Sequence, residues 1–336
     1  MKIHSSQRKT FPVRGIAFAV LVSLGLHAQA QQNSVDERVE GILNQMTLEQ
    51  KLSYISGVGF DPTFSNGRIG VFNIKGDQHL GTKLGLPEIY GVDGSVGLVG
   101  QGAAPGTRYP SGQLLSATWN PDRAYEEGVA QGREARARGI HRILGPGVNF
   151  YRTAFNGRGF EYMTGEDPFL GAVLITAEVK GIQSQGVMAT TKHYVANDEE
   201  VNREAINVIV DERTLREIYL PPFEAAVKLA DTAAIMGAFN KVNGYFACES
   251  LFLDTQVLKK DWGFRGFIES DFLAIHDGLK AAKAGMDIDM PGGGLARMNS
   301  ANLLPAINSG DLKLDNIDDK VRRLLYGIIS YGFLDR

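Results

Sequence analysis

Short apolar segments that alternate with amphipathic ones are the feature of this sequence that most constrains its fold. From residue 86 onwards roughly seven strand-sized runs, among them GVMATTKHY and GFIESD, are each followed by a stretch with helical spacing. Such alternation is typical of parallel strands joined by helices and predicts an α/β fold, a single-domain (β/α)8 barrel of the TIM type. With 336 residues, 43% of them hydrophobic, the chain is long enough to bury such a core.

The N-terminus has the three regions of a secretory signal. A basic stretch precedes a short apolar run over residues 16–26, and Ala28-Gln29-Ala30 follows. This pattern predicts a signal peptide over residues 1–30 and one mature domain over residues 31–336. A membrane anchor is the alternative, but the apolar run is too short to favour it. We therefore expect a secreted or periplasmic protein with no membrane association after cleavage.

Charge and composition exclude several classes of function. A formal charge of -3, from 35 basic and 38 acidic side chains, argues against nucleic-acid binding. The segment GQGAAPG lacks the third glycine of the dinucleotide fingerprint, and no two histidines have helical metal-ligand spacing. Cys248 is the only cysteine, so it has no intramolecular disulfide partner. No metal and no cofactor are predicted.

Nearly every candidate strand finishes in polar residues. In a β/α barrel the carboxyl ends of the strands converge on one face, where the ligand binds. Any single polar residue could simply mark the end of a strand, but the whole set indicates a binding site for a polar ligand. The set comprises Asp93, Asn149, Arg152, Lys192, His193, Asn240, Asp271, Asp287 and Asp289.

The stretch GFIESDFLAIHDG carries two carboxylates, Glu269 and Asp271, on the same side of a predicted strand. Asp271 is the last residue before the chain turns, whereas Glu269 lies one layer deeper. This order favours Asp271 as the chemical group and Glu269 as a buried structural carboxylate. The alternative for Asp271 is the N-cap of the helix that follows.

Lys192, at the end of the strand TTKHY, allows a different chemistry. A lysine in this place in a barrel could form a Schiff base with a carbonyl substrate. The adjacent His193 and the secretion signal disfavour this interpretation, which nevertheless stays open as a lyase hypothesis.

The segment DWGFRGFIESDF resembles the nucleophile region of glycoside hydrolase family 3. The resemblance extends, in the same order and spacing as in that family, from about Val35 to the C-terminus. It includes VDGSVG, TRYPSGQLLSATWN, LGPGVNFYRTAFNGRGFEYMTGEDPFLG, KHYVANDEE and FNKVNG. The resemblance implies the N-terminal catalytic barrel of that family.

The resemblance also implies a reaction and a set of site residues. It implies a retaining, exo-acting β-glycosidase, most often a β-glucosidase, that releases terminal non-reducing β-D-glucosyl residues from a β-glucoside or oligosaccharide. Asp271 is the implied nucleophile, forming a covalent glycosyl-aspartate. Asp93 is the implied acceptor for sugar hydroxyls, and Arg158, Lys192 and His193 are the implied donors.

Two aromatic positions depart from the family pattern. Phe272 follows the nucleophile where family members usually have Trp, so that sugar stacking beside the scissile bond is expected to differ. Phe239 stands where many members carry a Tyr that donates to the nucleophile.

The general acid/base is the third departure. Most family members receive this glutamate from a second domain, and the present sequence stops at GFLDR, where the linker would begin. The loop YVANDEEVNRE lacks the histidine that a hexosaminidase subgroup uses, and Glu199 and Glu200 are weak candidates. We therefore expect a truncated form that depends on a second domain or chain for the acid/base. The alternative is a catalytically weak carbohydrate-binding barrel.

Overall fold

The computed structural model describes residues 32–58, 73–99 and 106–336. The predicted signal peptide over residues 1–30 lies outside the described residues. The first described helix, α1, covers residues 32–43, and α2 (Leu48–Tyr54) follows it. A reciprocal capping box begins α2, since Thr47 Oγ1 accepts from Gln50 N and Gln50 Oε1 accepts from Thr47 N.

Two sheets contain the eight strands assigned among the described residues. Five strands form a parallel sheet in chain order, β1-β2-β3-β5-β8, and β4, β6 and β7 form a small mixed sheet. The bounds are β1 (Gly91–Asp93), β2 (Arg142–Leu144), β3 (Met188–Tyr194), β4 (Asn207–Val208), β5 (Ala234–Gly237), β6 (Lys241–Val242), β7 (Tyr245–Phe246) and β8 (Phe267–Ser270).

Helices lie between consecutive strands of the parallel sheet and at both of its ends. Between strands lie α4 (Gly112–Ser116) and α5 (Pro121–Ala137) after β1, α6 (Pro168–Gln183) after β2, and α7 (Glu212–Thr214) and α8 (Pro221–Lys228) after β3. Helix α3 (Asp77–Leu80) precedes β1, and α9 (Gly278–Ala284), α10 (Ser300–Asn308) and α11 (Leu314–Ser330) follow β8. Two further segments, Leu215–Tyr219 and Leu251–Asp261, are π-helical. No helix within the described ranges combines the length and apolar character needed to cross a membrane.

The sequence explains where α5 and α6 begin. Each helix starts with proline, and the side chain of the preceding Asn120 or Asp167 accepts a hydrogen bond from the first turn. Asparagine and aspartate satisfy free N–H groups at this place, and proline has no N–H to satisfy. The two helices pack side by side against the sheet, and the closely packed Gly128 and Gly181 bring their backbones together.

The predicted α/β fold with a parallel sheet is confirmed, and the strand ends meet at one edge as expected. The sheet has five strands among the described residues, whereas the predicted barrel has eight. The segment MDIDMPG, which contains the predicted strand-end residues Asp287 and Asp289, forms a single parallel bridge between Ile288 and Glu269 of β8. Strands this short offer few ladder hydrogen bonds, so adjacent loops rather than the strands determine the shape of this edge.

Candidate functional site

Asp271 directly follows β8 at the carboxyl edge of the parallel sheet. Its Oδ1 accepts a hydrogen bond of 2.7 Å from Phe272 N, and the residue is only 8% exposed. Its Oδ2 is buried and has no hydrogen-bond partner among the described residues. Burial raises the pKa of this carboxyl to about 6, against the opposing effect of Lys192, the Phe272 N–H and two arginines. The carboxylate thus presents one fixed and one free oxygen.

The N-cap interpretation of Asp271 is wrong. Helix α9 begins at Gly278, and Asp277 is its N-cap, accepting from the N–H groups of Leu279 and Lys280. Asp271 is therefore not needed to begin a helix.

His193 faces the free oxygen of Asp271, with Nε2 3.4 Å from Oδ2. Burial and the nearby cations hold the pKa of His193 well below its usual range, so the ring is neutral. Its Nδ1 lies 3.1 Å from the hydroxyl of Tyr162, whose pKa is raised well above its usual value by burial. A Tyr162 hydroxyl that donates to Nδ1 leaves the imidazole proton on Nε2, directed toward Asp271.

Lys192 forms an ion pair with Asp93, with 2.9 Å between Nζ and Oδ1. The lysine side chain is 4% exposed and that of Asp93 is 50% exposed. Lys192 is thus buried beneath the site, and Asp93 is accessible to a ligand. Burial lowers the pKa of Lys192, but Asp93 and Glu161 raise it more, and the net change is upward. An amine held as ammonium is not a nucleophile, which argues against the Schiff-base hypothesis.

Arg158 comes from the loop between β2 and α6. Its guanidinium pairs with Glu161, lies 3.9 Å from Glu200 Oε1, and stands 5.9 Å from the centroid of the Tyr162 ring. The backbone N–H of Arg158 donates to Asn156 Oδ1 at 2.8 Å, which fixes the loop. Arg158 also lowers the pKa of Asp271, so it is close enough to act on that carboxylate electrostatically.

Sequence reasoning missed Arg203, which the structure brings to the same site. Its Nη1 donates to Glu200 Oε2 at 2.8 Å, its guanidinium lies 4.1 Å from the centroid of the Phe239 ring, and it lowers the pKa of Asp271. The signal available in the sequence was the run of polar residues that begins at Asn197, shortly after Lys192 and His193. That run predicts a polar loop but does not tell which of its side chains turn inward.

Glu269 lies deeper than Asp271, as the strand alternation predicts. It is fully buried and forms an ion pair with the equally buried Arg142. Burial raises the pKa of Glu269, and Arg142 opposes the increase. The contacts are those of a structural pair inside the sheet.

Other polar strand ends hold the backbone. Asn149 exchanges two hydrogen bonds with the backbone of His193, and Arg152 donates to the Tyr219 hydroxyl. Asp287 pairs with Lys259, and Asp289 accepts from the N–H groups of Arg297 and Met298. The expectation that all strand ends build one ligand site is therefore too broad, because several of these side chains are engaged in folding contacts.

Comparisons with known proteins identify the family of this chain. The family model described as "Glycosyl hydrolase family 3 N terminal domain" matches residues 68–326. The chain is 40% identical over 302 residues to a β-glucosidase of Rhizobium radiobacter, covering 89% of this chain and 35% of that protein. It is 38% identical over 290 residues to the thermostable β-glucosidase B of Acetivibrio thermocellus, covering 85% and 37%. The present chain thus spans little more than a third of the length of either relative.

A solved structure gives the same result for the fold. β-Glucosidase 3B of Thermotoga neapolitana, in complex with glucose, superposes with a TM-score of 0.79 at 35% sequence identity. The match covers 88% of this chain and 44% of that one.

Proposed function

This chain belongs to glycoside hydrolase family 3, and from that premise we propose that it is the nucleophile-bearing part of a retaining β-glucosidase. The observation that carries the proposal is the environment of Asp271. One carboxylate oxygen is fixed by a backbone N–H, the other is free, and three basic side chains act on it. A buried carboxylate kept in the anionic form by cations is the group that a glycosyl-enzyme mechanism requires.

In the proposed first step, Asp271 Oδ2 attacks the anomeric carbon of a bound β-glucoside. The new carbon–oxygen bond forms as the bond to the aglycone oxygen breaks, and that oxygen takes a proton from a general acid. In the second step water attacks the same carbon, gives its proton to the now deprotonated acid, and frees the Asp271 carboxylate. Two inversions return the β-configuration.

We propose that the sugar ring is held by the four other predicted residues. Asp93, half exposed beside Lys192, accepts from hydroxyl groups, whereas Lys192 and Arg158 donate to them. His193 is neutral, and its Nε2–H is placed to donate to Asp271 or to a hydroxyl beside it. Hydroxyls removed from water need such partners, so this set favours a polyhydroxylated ligand over an apolar one.

The source of the general acid/base is a separate proposal. Three carboxylates at the site are engaged with cations: Asp93 with Lys192, Glu161 with Arg158, and Glu200 with Arg203. A carboxylate that is stabilised as an anion in this way is a poor proton donor. We propose that the acid/base comes from a second domain or another chain, in line with the greater length of the relatives.

The pairing of the site carboxylates with cations also favours a second candidate function, that of a catalytically weak carbohydrate-binding barrel. A chain with this function would bind glucose and turn over no substrate faster than its Asp271→Ala variant does. The enzyme proposal requires the opposite result for a glucoside with an activated leaving group.

Mass spectrometry after incubation with 2,4-dinitrophenyl 2-deoxy-2-fluoro-β-glucoside tests the function directly. The activated leaving group needs no acid, and the fluorine slows hydrolysis of the adduct. We expect a sugar adduct on the peptide that contains Asp271, and none in Asp271→Asn. Asp277→Asn is the matched control, because asparagine also caps helices and the residue lies outside the site. A folded chain without an adduct, or with one elsewhere, would contradict the proposal.

The complete architecture and the location of the protein are further proposals. We propose that the parallel sheet belongs to a (β/α)8 barrel, supported by the chain order of its strands and by the hydrogen bond from Asp289 N to Ile55 O.

We also propose that the protein is exported from the cytoplasm and that its signal peptide is cleaved after Ala30. N-terminal sequencing of the mature protein from the periplasm or medium should begin at Gln31.

A further inference from the structure

Glu200 lies between the two arginines of the site. Its Oε2 accepts a hydrogen bond of 2.8 Å from Arg203, and its Oε1 is 3.9 Å from the Arg158 guanidinium. Both guanidiniums lower the pKa of Asp271. A single carboxylate therefore contacts two cations whose charge reaches the proposed nucleophile.

A second connection runs from Glu200 to the proposed nucleophile through neutral groups. Glu200 Oε1 accepts from Asn197 Nδ2 at 3.3 Å, and the same amide group lies 3.4 Å from the Tyr162 hydroxyl. Tyr162 contacts His193 Nδ1, and His193 Nε2 faces Asp271 Oδ2. The position of Glu200 thus bears on the orientation of the imidazole as well as on the arginines.

The stem of Glu200 also joins two loops. Gly157 precedes Arg158 with φ of +87°, and a Cβ at that position would lie 3.3 Å from both Cβ and Cγ of Glu200. The neighbouring Asn156 donates to the carbonyl of Asp198 at 2.8 Å. The loop that carries Arg158 is therefore packed on the loop that carries Glu200 and Arg203.

We propose that Glu200 is a positioning residue, whose carboxylate holds Arg158 and Arg203 in place beside Asp271 and partly neutralises their charge there. The proposal rests on the function proposed above and assigns no proton transfer to Glu200. Its carboxylate is bound by a guanidinium, which stabilises the anion and disfavours the proton donor.

Removal of the Glu200 charge has two opposing consequences. The two guanidiniums lose a shared anchor, which weakens orientation of the substrate. Their positive charge near Asp271 is also less compensated, which favours the Asp271 anion and moves its titration to lower pH. The titratable and charged groups that face Asp271 are Lys192 and His193 from β3, Arg158, Arg203, Tyr162, Glu269 and Cys248.

The test measures the rate of covalent labelling by the dinitrophenyl deoxyfluoroglucoside from about pH 5 to pH 8. For Glu200→Gln we expect labelling at neutral pH to slow by up to about a hundredfold, because small misplacements of orienting groups have effects of that size. We expect the acid limb of its profile to move to lower pH by up to about one unit. Glu200→Asp keeps the charge and should keep the acid limb of the unmodified chain.

Glu199→Gln is the matched control, since Glu199 caps the N–H of Val201 and should leave both rate and profile unchanged. A Glu200→Gln variant that loses rate with an unshifted acid limb would overturn the proposal and assign Glu200 to loop structure alone. A variant that labels normally but fails on glucosides with poor leaving groups would identify Glu200 as the acid/base and overturn it as well. If the unmodified chain is not labelled, the proposed function itself fails.

Discussion

Two regions of the molecule bury carboxyl groups in different ways. At the site, Asp271 is surrounded by Lys192, Arg158 and Arg203, and its pKa is about 6. Between α5 and α6, Glu127 and Glu178 share the amide of Gln131, and neither forms an ion pair among the described residues. Burial raises the pKa of Glu127 to about 7 and that of Glu178 well above its usual value.

The difference shows what cations contribute to a buried acid. Without them, burial of a second carboxyl beside the first favours the protonated, neutral form, which suits a helix interface that only has to pack. With them, a carboxyl with almost no exposure is still an anion at neutral pH. Asp271 is negatively charged at neutral pH, whereas burial at the helix interface favours the neutral form of Glu178. A negative charge is what a carboxylate nucleophile needs.

Asp271→Asn should give the largest effect, since it replaces the anionic carboxylate of the site with a neutral amide. We expect labelling by the dinitrophenyl deoxyfluoroglucoside to fall by at least about 10⁴-fold, because an amide cannot replace the attacking carboxylate. The melting temperature at pH 7 should stay the same or rise, because the folded state no longer buries an anion. A large fall in melting temperature would show that Asp271 supports the fold rather than the chemistry.

Lys192→Met should make Asp271 resemble the interface acids. Loss of the cation removes the strongest influence that opposes burial, so the pKa of Asp271 should rise above about 6. The acid limb of the labelling profile should move to higher pH, and at pH values well below the pKa labelling should fall about tenfold for each unit of that shift. An acid limb that stays in place would mean that the arginines alone maintain the anion.

Stability should respond to pH through the interface acids in the direction set by their raised pKa values. The folded pKa of Glu127, about 7, is above the unfolded value, so its stabilising contribution is complete below the unfolded pKa and is lost as pH rises through 7. We expect the melting temperature to fall as pH rises from about 5 to about 7, the interval between the unfolded and folded pKa values of Glu127.

Glu178→Gln tests the same interface by removing one of the two acids. Glu178 no longer contributes its own raised pKa, so the dependence of melting temperature on pH should flatten. Glu126→Gln, on the exposed side of α5, is the matched control and should keep the slope of the unmodified chain. An unchanged slope in Glu178→Gln would place the titration elsewhere.

The sequence was informative where regular geometry decides the outcome. Period-two alternation predicted that Glu269 lies beneath Asp271, and the convergence of parallel strands brought together Asp93, Lys192, His193 and Asp271. Arg203 was missed, and Glu200 was considered only as an acid/base, because loop side chains have no period and their direction depends on contacts such as that of Glu200 with Gly157. Asp287 and Asp289 were assigned to the site because a strand end looks the same in sequence whether it binds a ligand or a backbone N–H.

The smallest predicted effect concerns how the interface helices begin. Asp167 Oδ1 accepts from the N–H groups of Phe169 and Leu170 and so caps α6, the helix that carries Glu178. Asp167→Ala leaves those donors without the cap and should lower the free energy of unfolding by about 1 kcal/mol, whereas Asp167→Asn should be nearly neutral. Denaturant titration measures both. Because a cap acts on the helix end and not on the buried acids, Asp167→Ala should lower stability equally at pH 6 and pH 8. A loss of stability confined to one pH would mean that the start of α6 affects the protonation of the buried Glu178 on the same helix.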